Sequence, residues 1–333
     1  MTIALNKFQK ELCNIIQEPL PLRPAPFAVI AERLGSDEAT VIEQLQELKS
    51  LGIIRRFSGT INYRALGKVA ALVTASVPNN DLTTATAVIN ALPGVSHNYL
   101  RDHKYNLWFT LQDDSIEQIE KLLANLSCRL GCKFHSMPAT KVFKLRVRFD
   151  ADFPKEALAL ADVEGDACNA GTFDPEPVNL TNLEKDILTK LQTDLVISPR
   201  PFDFLATDTI TVEAAIETTQ SLIDKGVIRP LSVVLNHHKL GFDTNVMFCA
   251  HIPPDRVDHV GKRLAQLKIV SHCYERKTFE GWPYNLFAMM HARTGEQIRL
   301  VTDQFTAAEQ INEFELLGTT AELKKEPVKQ NFA

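Results

Sequence analysis

A tandem repeat constrains this 333-residue chain more than any other feature. Residues 52–67 (GIIRRFSGTINYRALG) align without a gap to residues 226–241 (GVIRPLSVVLNHHKLG), and seven of the 16 positions are identical. Further along, residues 95–101 (VSHNYLR) match residues 270–276 (VSHCYER), and Tyr-Asn-Leu follows in both copies. The repeat predicts two halves that are built on one fold.

Within the first half, the periodicity changes from helical to strand-like. Helix-period segments lie at residues 6–17, 26–34 and 37–50, with Ser36 as the expected N-cap and Gly52 ending the third helix. The β-branched residues and the Ser-Gly turn that follow predict a two-stranded wing. Strands and helices then alternate in the order βαββαβ, which is typical of a ferredoxin-like domain.

The predicted fold class is therefore α+β, a tandem duplication in which each half is a winged helix-turn-helix plus a ferredoxin-like domain. This combination resembles the Lrp/AsnC architecture. We place winged helices at residues 1–66 and 179–240, and ferredoxin-like domains at residues 67–150 and 241–326. Residues 151–178 are rich in acidic residues, Ala, Pro and Gly, which predicts a solvated linker. We expect the two βαββαβ sheets to associate about a pseudo-twofold axis, and the polar tail after Thr320 to fray.

Composition and charge disfavour several classes of protein. The net charge of −5 provides no general attraction for polyanions. No apolar run approaches the roughly 18 residues of a membrane span, and the first 17 residues are typical of an amphipathic helix. We therefore expect a cytoplasmic protein without a membrane partner. The six cysteines show no C-x-x-C pair, so a metal or disulfide framework is not supported.

The third helix of each half is the segment that would read DNA, and its charge disfavours that role. Residues 37–50 contain four acids and one base, and residues 208–225 also contain four acids and one base, so each segment carries −3. A recognition helix needs Lys, Arg, Asn or Gln facing phosphates and base edges. We expect no DNA binding, and an Lrp/AsnC-type transcriptional regulator is the alternative.

The repeated V-S-H-x-Y-x-R motif is the strongest local signal for a binding site. Alternate residues of a strand share a face. The residues predicted to share one are His97, Tyr99, Arg101 and His103 in the first half, and His272, Tyr274 and Arg276 in the second. Imidazole, phenol and guanidinium groups in a row suit a flat ligand that carries carboxylates. An exposed polar face or an oligomer interface is the alternative explanation.

At these motifs, the chain is similar to the siroheme decarboxylases. The first half, with RRFSGTINYRALG and HNYLRDHKYNLWFTL, resembles the A-type (NirD-like) subunit. The second half, with VLNHHKLGF and SHCYERKTFEGWPYNLF, resembles the B-type (NirL-like) subunit. The resemblance spans both halves apart from linker and tail. It implies a lyase that removes the acetate carboxylates at C12 and C18 of siroheme to give 12,18-didecarboxysiroheme, in heme d1 or alternative heme b biosynthesis.

The resemblance and the chemistry of a polycarboxylate macrocycle suggest roles for the candidates. Arginine binds carboxylates bidentately, and histidine can deliver a proton near neutral pH. The substrate-binding candidates are Arg55, Arg56, Tyr99, Arg101, His103, Arg229, His238, Tyr274, Arg276 and Trp282. The catalytic candidates are His97, His237 and His272, and any one of these can instead be the axial ligand of the substrate iron. The histidines without a repeated context are expected to be structural or surface residues: His135, His251, His259 and His291.

No cofactor beyond the substrate iron is expected, because the chain has neither a Gly-rich phosphate loop nor a lysine context for pyridoxal phosphate. The expected partners are siroheme and its decarboxylated products. A homodimer or an association with homologous subunits is left open, as is the half that holds the productive site. A non-catalytic heme sensor or carrier on the same fold is a further alternative.

Overall fold

The structure is a computed structural model that describes residues 3–145, 148–149, 151 and 175–332. Most of the predicted linker, residues 152–174, lies outside the described residues. The described helices are α1 (Lys7–Ile15), α2 (Pro26–Leu34), α3 (Glu38–Ser50), α4 (Leu82–Asn90), α5 (Ile116–Leu130), α6 (Asn182–Leu191), α7 (Val212–Asp224), α8 (Val257–Gln266) and α9 (Gly295–Ala308). The described strands are β1 (Ile54–Ser58), β2 (Val69–Ala75), β3 (Val95–Arg101), β4 (Leu107–Asp113), β5 (Phe134–Leu145), β6 (Ser232–Leu235), β7 (Thr244–Ala250), β8 (Val270–Arg276), β9 (Leu286–Ala292) and β10 (Phe314–Lys325). None of these helices is long and apolar enough to cross a membrane.

The helices of the first half lie where the sequence predicts them, except for one cap. Asp37, and not Ser36, is the N-cap of α3, because its carboxylate accepts a hydrogen bond from the Thr40 amide at 2.9 Å. The expected end of this helix is confirmed, since Gly52 follows its last turn with a φ of 71°, which favours glycine.

The strand after each third helix pairs with its counterpart in the other half. The predicted wing within each half is therefore wrong: β1 runs antiparallel to β6, with Phe57 opposite Val233, and Ile61 and Ile228 extend the pairing. Both Phe57 and Val233 are buried in one apolar core that contains helices of both halves. A Cβ at Gly59 would lie 2.3 Å from Ile228 Cδ1, so a larger residue there would have to displace the Ile228 side chain between the two segments.

The two ferredoxin-like domains form one closed barrel. Its strand order is β10-β3-β4-β2-β5-β8-β9-β7, and β7 closes back on β10. The 12-residue strand β5 pairs first with β2 and then with β8 of the other half. Strand β10 does the same with β7 and then β3. Twelve residues extend about 40 Å at about 3.3 Å each, which is long enough to pair with two neighbouring strands in succession. The expected association of the two sheets is confirmed.

Alternation along the strands separates an outer and an inner set of apolar side chains. On the outside, α4 and α5 cover the first half, and Phe109 packs beneath them. Helices α8 and α9 cover the second half, where a Cβ at Gly261 would lie only 2.5 Å from the ring of Phe143. The inner set, which we call the aromatic plug, is Tyr105, Trp108, Met137, Met247, Cys249, Trp282, Phe287 and Leu317.

Candidate active site

The two His-Tyr-Arg stripes line the interior of the barrel. Tyr99 lies opposite Trp108, and Tyr274 lies opposite Phe287. Opposed residues of neighbouring strands share a face, and both of these partners belong to the aromatic plug. The ring of His97 stacks on Tyr99 with 6.2 Å between centroids, and that of His272 stacks on Tyr274 at the same distance. The side chains of each stripe therefore lie on the inner face of the barrel wall.

Each stripe ends in an arginine that has no acidic partner among the described residues. Arg101 is 5% exposed and donates Nη1 to the Leu317 carbonyl at 2.9 Å, while Arg276 donates Nη1 to the Met137 carbonyl at 3.0 Å. The Nε atom of each is buried and has no hydrogen-bond partner. Burial lowers the pKa of Arg101 to about 10 and also lowers that of Arg276. A positive charge held this way is costly without a counter-ion, so the arrangement favours an anionic ligand.

Further cations gather where β3 and β8 begin. These two strands run in the same direction, so His97 and His272 lie at one end of the barrel. The basic end, as we call it, consists of His97, His272, Arg55, Arg56, Arg229 and Lys325. Its carboxylate is Glu322, which lies 3.2 Å from an Arg55 nitrogen and 3.4 Å from Lys325 Nζ. The basic end therefore combines residues of the barrel strands with arginines on or next to the β1–β6 pair.

The cross-strand neighbours of the two stripes differ. His97 lies opposite Lys325 and Tyr99 opposite Glu322, both on β10. In the second half, the equivalent neighbours on β5 are apolar: His272 lies opposite Leu145, and Tyr274 lies opposite Val142. The backbone is nearly symmetric about the barrel, but the side chains that line it are not.

The histidines of the basic end are held neutral in the ligand-free protein. Burial, followed by the charge of Lys325, lowers the pKa of His97 to about 4. Burial, followed by His291 and Arg229, lowers the pKa of His272 to about 3. A bound anion would offset these cations and raise both pKa values, because an opposite charge favours the protonated imidazole.

His237 turns inward from the segment that follows β6. It is 2% exposed, and its ring stacks on Phe149 with 5.4 Å between centroids. Its Nε2 is buried and has no hydrogen-bond partner, and burial lowers its pKa far below the usual range. The adjacent His238 is exposed and lies 3.7 Å from Asp243, so only the first histidine of this pair faces the interior.

Sequence reasoning missed His291, which the structure places between two of the predicted histidines. Its Nε2 lies 3.1 Å from Ser271 Oγ, and that hydroxyl lies 2.9 Å from His272 Nδ1. Its ring centroid lies 5.3 Å from that of His237. The expectation that it is structural rested on its lack of a repeated context. The signal that could have found it is strand alternation on β9, which places His291 on the same face as Phe287.

Comparisons with known proteins agree with this arrangement. A model of the siroheme decarboxylase NirDL-like helix-turn-helix domain matches residues 9–55. A model of the AsnC-like ligand-binding domain matches twice, at residues 65–144 and 239–324, which confirms the duplication. The siroheme decarboxylase of Hydrogenobacter thermophilus is 34% identical over 327 residues, which cover 97% of this chain and 95% of that protein. This chain belongs to the siroheme decarboxylase family.

Other members of the siroheme decarboxylase family match along nearly the whole chain. The NirDL subunit of Paracoccus denitrificans is 29% identical and covers 93% of each chain. A crystal structure of the siroheme decarboxylase NirDL superposes with a TM-score of 0.69 at 30% identity, covering 98% of this chain and 95% of that one. A second, a complex with an iron-uroporphyrin III analogue, has the same TM-score and identity and covers 97% and 94%.

Two residues that we predicted to bind substrate lie at the opposite end of this family member's barrel. Trp282 is 2% exposed and packs in the aromatic plug, 5.4 Å from Trp108 between ring centroids. His103 does not continue the first stripe, because β3 ends at Arg101 and the chain turns there. Its Nδ1 accepts a hydrogen bond from the Tyr105 amide at 3.0 Å, and its ring lies edge-on to Trp282. The structure does not bring these two residues together with the basic end.

Among the residues that the structure describes, no group of three or more His, Cys, Asp or Glu side chains is placed to hold a metal ion. His237 and His238 have ring centroids 4.0 Å apart, but the second is exposed.

Proposed function

We propose that this chain is a siroheme decarboxylase, a carboxy-lyase that converts siroheme to 12,18-didecarboxysiroheme by removing the acetate carboxylates at C12 and C18. The observation that carries the proposal is the barrel interior, where Arg101 and Arg276 have no acidic partner among the described residues and lie next to the aromatic plug. A flat, apolar ring with a carboxylate rim fits such a lining. The iron-uroporphyrin III analogue named for a related structure supports a tetrapyrrole.

Binding is the role that we assign to the cations. The guanidinium group offers a planar fork of donors that matches a carboxylate. Arg101 and Arg276 each retain an unpartnered buried Nε, and Arg56 does as well. Arg55 and Arg229 add positive charge at the basic end, where they lower the pKa values of His97 and His272. Tyr99 and Tyr274 lie between these groups along each stripe and present rings to the macrocycle.

Proton delivery is the role that we assign to the histidines. When the bond between the acetate methylene carbon and its carboxylate breaks, CO2 leaves without the bonding electron pair. The conjugated macrocycle spreads this pair, and a proton must reach the same carbon to give a methyl group. His97, His237 and His272 are the candidate acids. Substrate carboxylates would raise the pKa of His97 from about 4 toward the range in which it can donate.

The test is anaerobic incubation of the purified chain with siroheme, followed by mass spectrometry of the pigment. We expect the loss of two molecules of CO2 per siroheme. Bound pigment of unchanged mass would overturn the enzyme proposal in favour of a heme sensor or carrier. In the same assay, replacing His97, His237 or His272 with glutamine should reduce single-turnover decarboxylation about 10²–10⁴-fold for at least one of them. A variant that instead loses an iron-ligand absorption band identifies that histidine as the axial ligand.

The remaining assignments are proposals of the same kind. We propose no cofactor beyond the substrate iron, a cytoplasmic location, and a place in heme d1 or alternative heme b biosynthesis. Association with further homologous subunits is compatible with relatives that are named as separate alpha, NirD and NirG subunits. We propose no DNA binding, because the one base of α3, Lys49, is held by Asp194 in an ion pair.

A further inference from the structure

His291 lies in a line of hydrogen-bonding groups, and the proposed reaction gives it no role so far. We infer that it is a positioning residue in a proton path that runs from His237 through His291 and Ser271 to His272. The inference rests on the proposed function, because the path matters only if a proton is consumed in the barrel interior.

The geometry of the path is continuous from His272 to His291. Ser271 Oγ lies 2.9 Å from His272 Nδ1 and 3.1 Å from His291 Nε2, so one hydroxyl joins the two imidazoles. The same hydroxyl can donate to the Met289 carbonyl at 3.3 Å, a longer contact than the one to either imidazole. A hydroxyl both donates and accepts, so it can take a proton from one ring and give one to the other.

The path extends from His291 to His237. Their ring centroids lie 5.3 Å apart with an interplanar angle of 72°, and Phe149 contacts both rings. Each ring has one buried nitrogen without a hydrogen-bond partner, Nδ1 in His291 and Nε2 in His237. Because these two nitrogens do not hydrogen-bond to each other, a proton would pass between the rings through one bridging water.

The first half lacks this path although it repeats the start of it. Ser96 Oγ lies 2.8 Å from His97 Nδ1, as in the second half. The residue equivalent to His291 is Gln112, whose Oε1 accepts a hydrogen bond from Gln330 Nε2 at 3.3 Å. An amide neither accepts nor releases a proton under these conditions, so the chain of groups stops at Ser96. The difference assigns proton supply to the second half.

The proton balance of the step is simple. As the Nε2 of neutral His272 gives its proton to the carbon that has lost CO2, its Nδ1 takes the proton of the Ser271 hydroxyl, which at the same time takes one from His291 Nε2. His291 takes a proton at Nδ1 from the side of His237, where one proton from water enters the path. One proton is taken up and one is delivered, so no imidazolate or alkoxide is left behind. No electron is transferred in these exchanges, so the iron of the substrate keeps its oxidation state.

The decisive variants are H291Q, which copies the first half, and S271A, which removes the bridging hydroxyl. At saturating siroheme we expect each to slow single-turnover decarboxylation about 10²-fold, with pigment binding by absorbance unchanged. Because both break one path, the double variant H291Q/S271A should be no slower than either single variant. S271T, which restores a hydroxyl, should recover most of the rate. H259Q is the matched control, since His259 is an exposed histidine of α8.

Each other result overturns the path. If the rate losses of H291Q and S271A multiply in the double variant, the two residues act separately. If H291Q turns over at the unmodified rate while the unmodified chain decarboxylates siroheme, the path is wrong and the proposed function stands. If the unmodified chain binds siroheme without losing CO2, both fail. Should H291Q not fold, as judged by circular dichroism, S271A and S271T decide the question by themselves.

Discussion

Replacing Arg101 with methionine should weaken siroheme binding while changing the stability of the ligand-free protein little. The guanidinium is 5% exposed and has no acidic partner among the described residues. Removing its charge relieves a burial cost of several kcal/mol. The variant loses the hydrogen bonds that the charged guanidinium donates to the Leu317 carbonyl at 2.9 Å and to Thr319 Oγ1 at 3.2 Å, worth about 1.5–3 kcal/mol each. The relief and the loss are of similar size, so the ligand-free variant should unfold at nearly the same urea concentration as the unmodified chain.

The same substitution removes a donor for the carboxylate rim. A hydrogen bond to a charged group contributes about 1.5–3 kcal/mol, so siroheme should bind about 10- to 150-fold more weakly. Since an arginine can hold a rim carboxylate in the ground state and the transition state alike, turnover at saturation should fall much less. Arg276, its counterpart in the repeat, should give the same loss of affinity.

Urea unfolding of the ligand-free protein and anaerobic absorbance titration with siroheme measure the two effects. R299M is the control, because Arg299 is exposed on α9 and its loss should change neither quantity. A ligand-free R101M that unfolds at clearly lower urea would show that the guanidinium stabilises the barrel by itself. Unchanged affinity for siroheme would show that the Arg101 guanidinium binds no carboxylate of siroheme. Either result refutes the reasoning.

Three further predictions concern other parts of the chain. G261A should lower the free energy of unfolding by about 1–3 kcal/mol in urea, because the added Cβ would lie 2.5 Å from the Phe143 ring; an unchanged midpoint would show that α8 can shift at no cost. The pKa values of His97 and His272 fall from 6.5 to about 4 and 3 on folding, so the unfolded chain binds more protons between these limits. The free energy of unfolding of the ligand-free protein should therefore decrease as the pH falls from about 6.5 toward 4, and H97Q should weaken that dependence; urea curves at several pH values check this, and a dependence unaltered in the variant contradicts it. Gel-shift assays at low salt should show no sequence-dependent retention of duplex DNA, because α3 and the segment around α7 each carry an excess of acids.

Local pattern was sufficient to predict most helices and strands of this fold. The periodicity of each segment depends on its own residues, so α2 and α3 lie within a few residues of their predicted bounds. Strand partners depend on contacts far apart in the chain. For that reason the wing was predicted as a hairpin, whereas β1 pairs with β6 about 175 positions further on. The tail expected to fray after Thr320 continues as β10 to Lys325, because its backbone pairs with β3.

The candidate site was predicted in part for the same reason. Strand alternation and the repeat together located His97, His272 and their stripes. Lys325 and His291 were missed because neither is repeated, and only the register of the barrel brings them to the stripes. The domain boundaries, and the roles given to individual site residues, stay predictions.

Strands β5 and β10 each pair with strands of both sheets, and this pairing has a consequence for how a ligand is oriented. In a barrel made by two identical chains, each residue of the wall would occur twice, and a macrocycle turned by half a turn would meet the same surroundings. Here Lys325 and Glu322 stand on one wall where Leu145 and Val142 stand on the other. A fused chain can therefore bind the two edges of one flat molecule differently. It can thus hold particular side groups, in a fixed order, next to a single set of reactive residues.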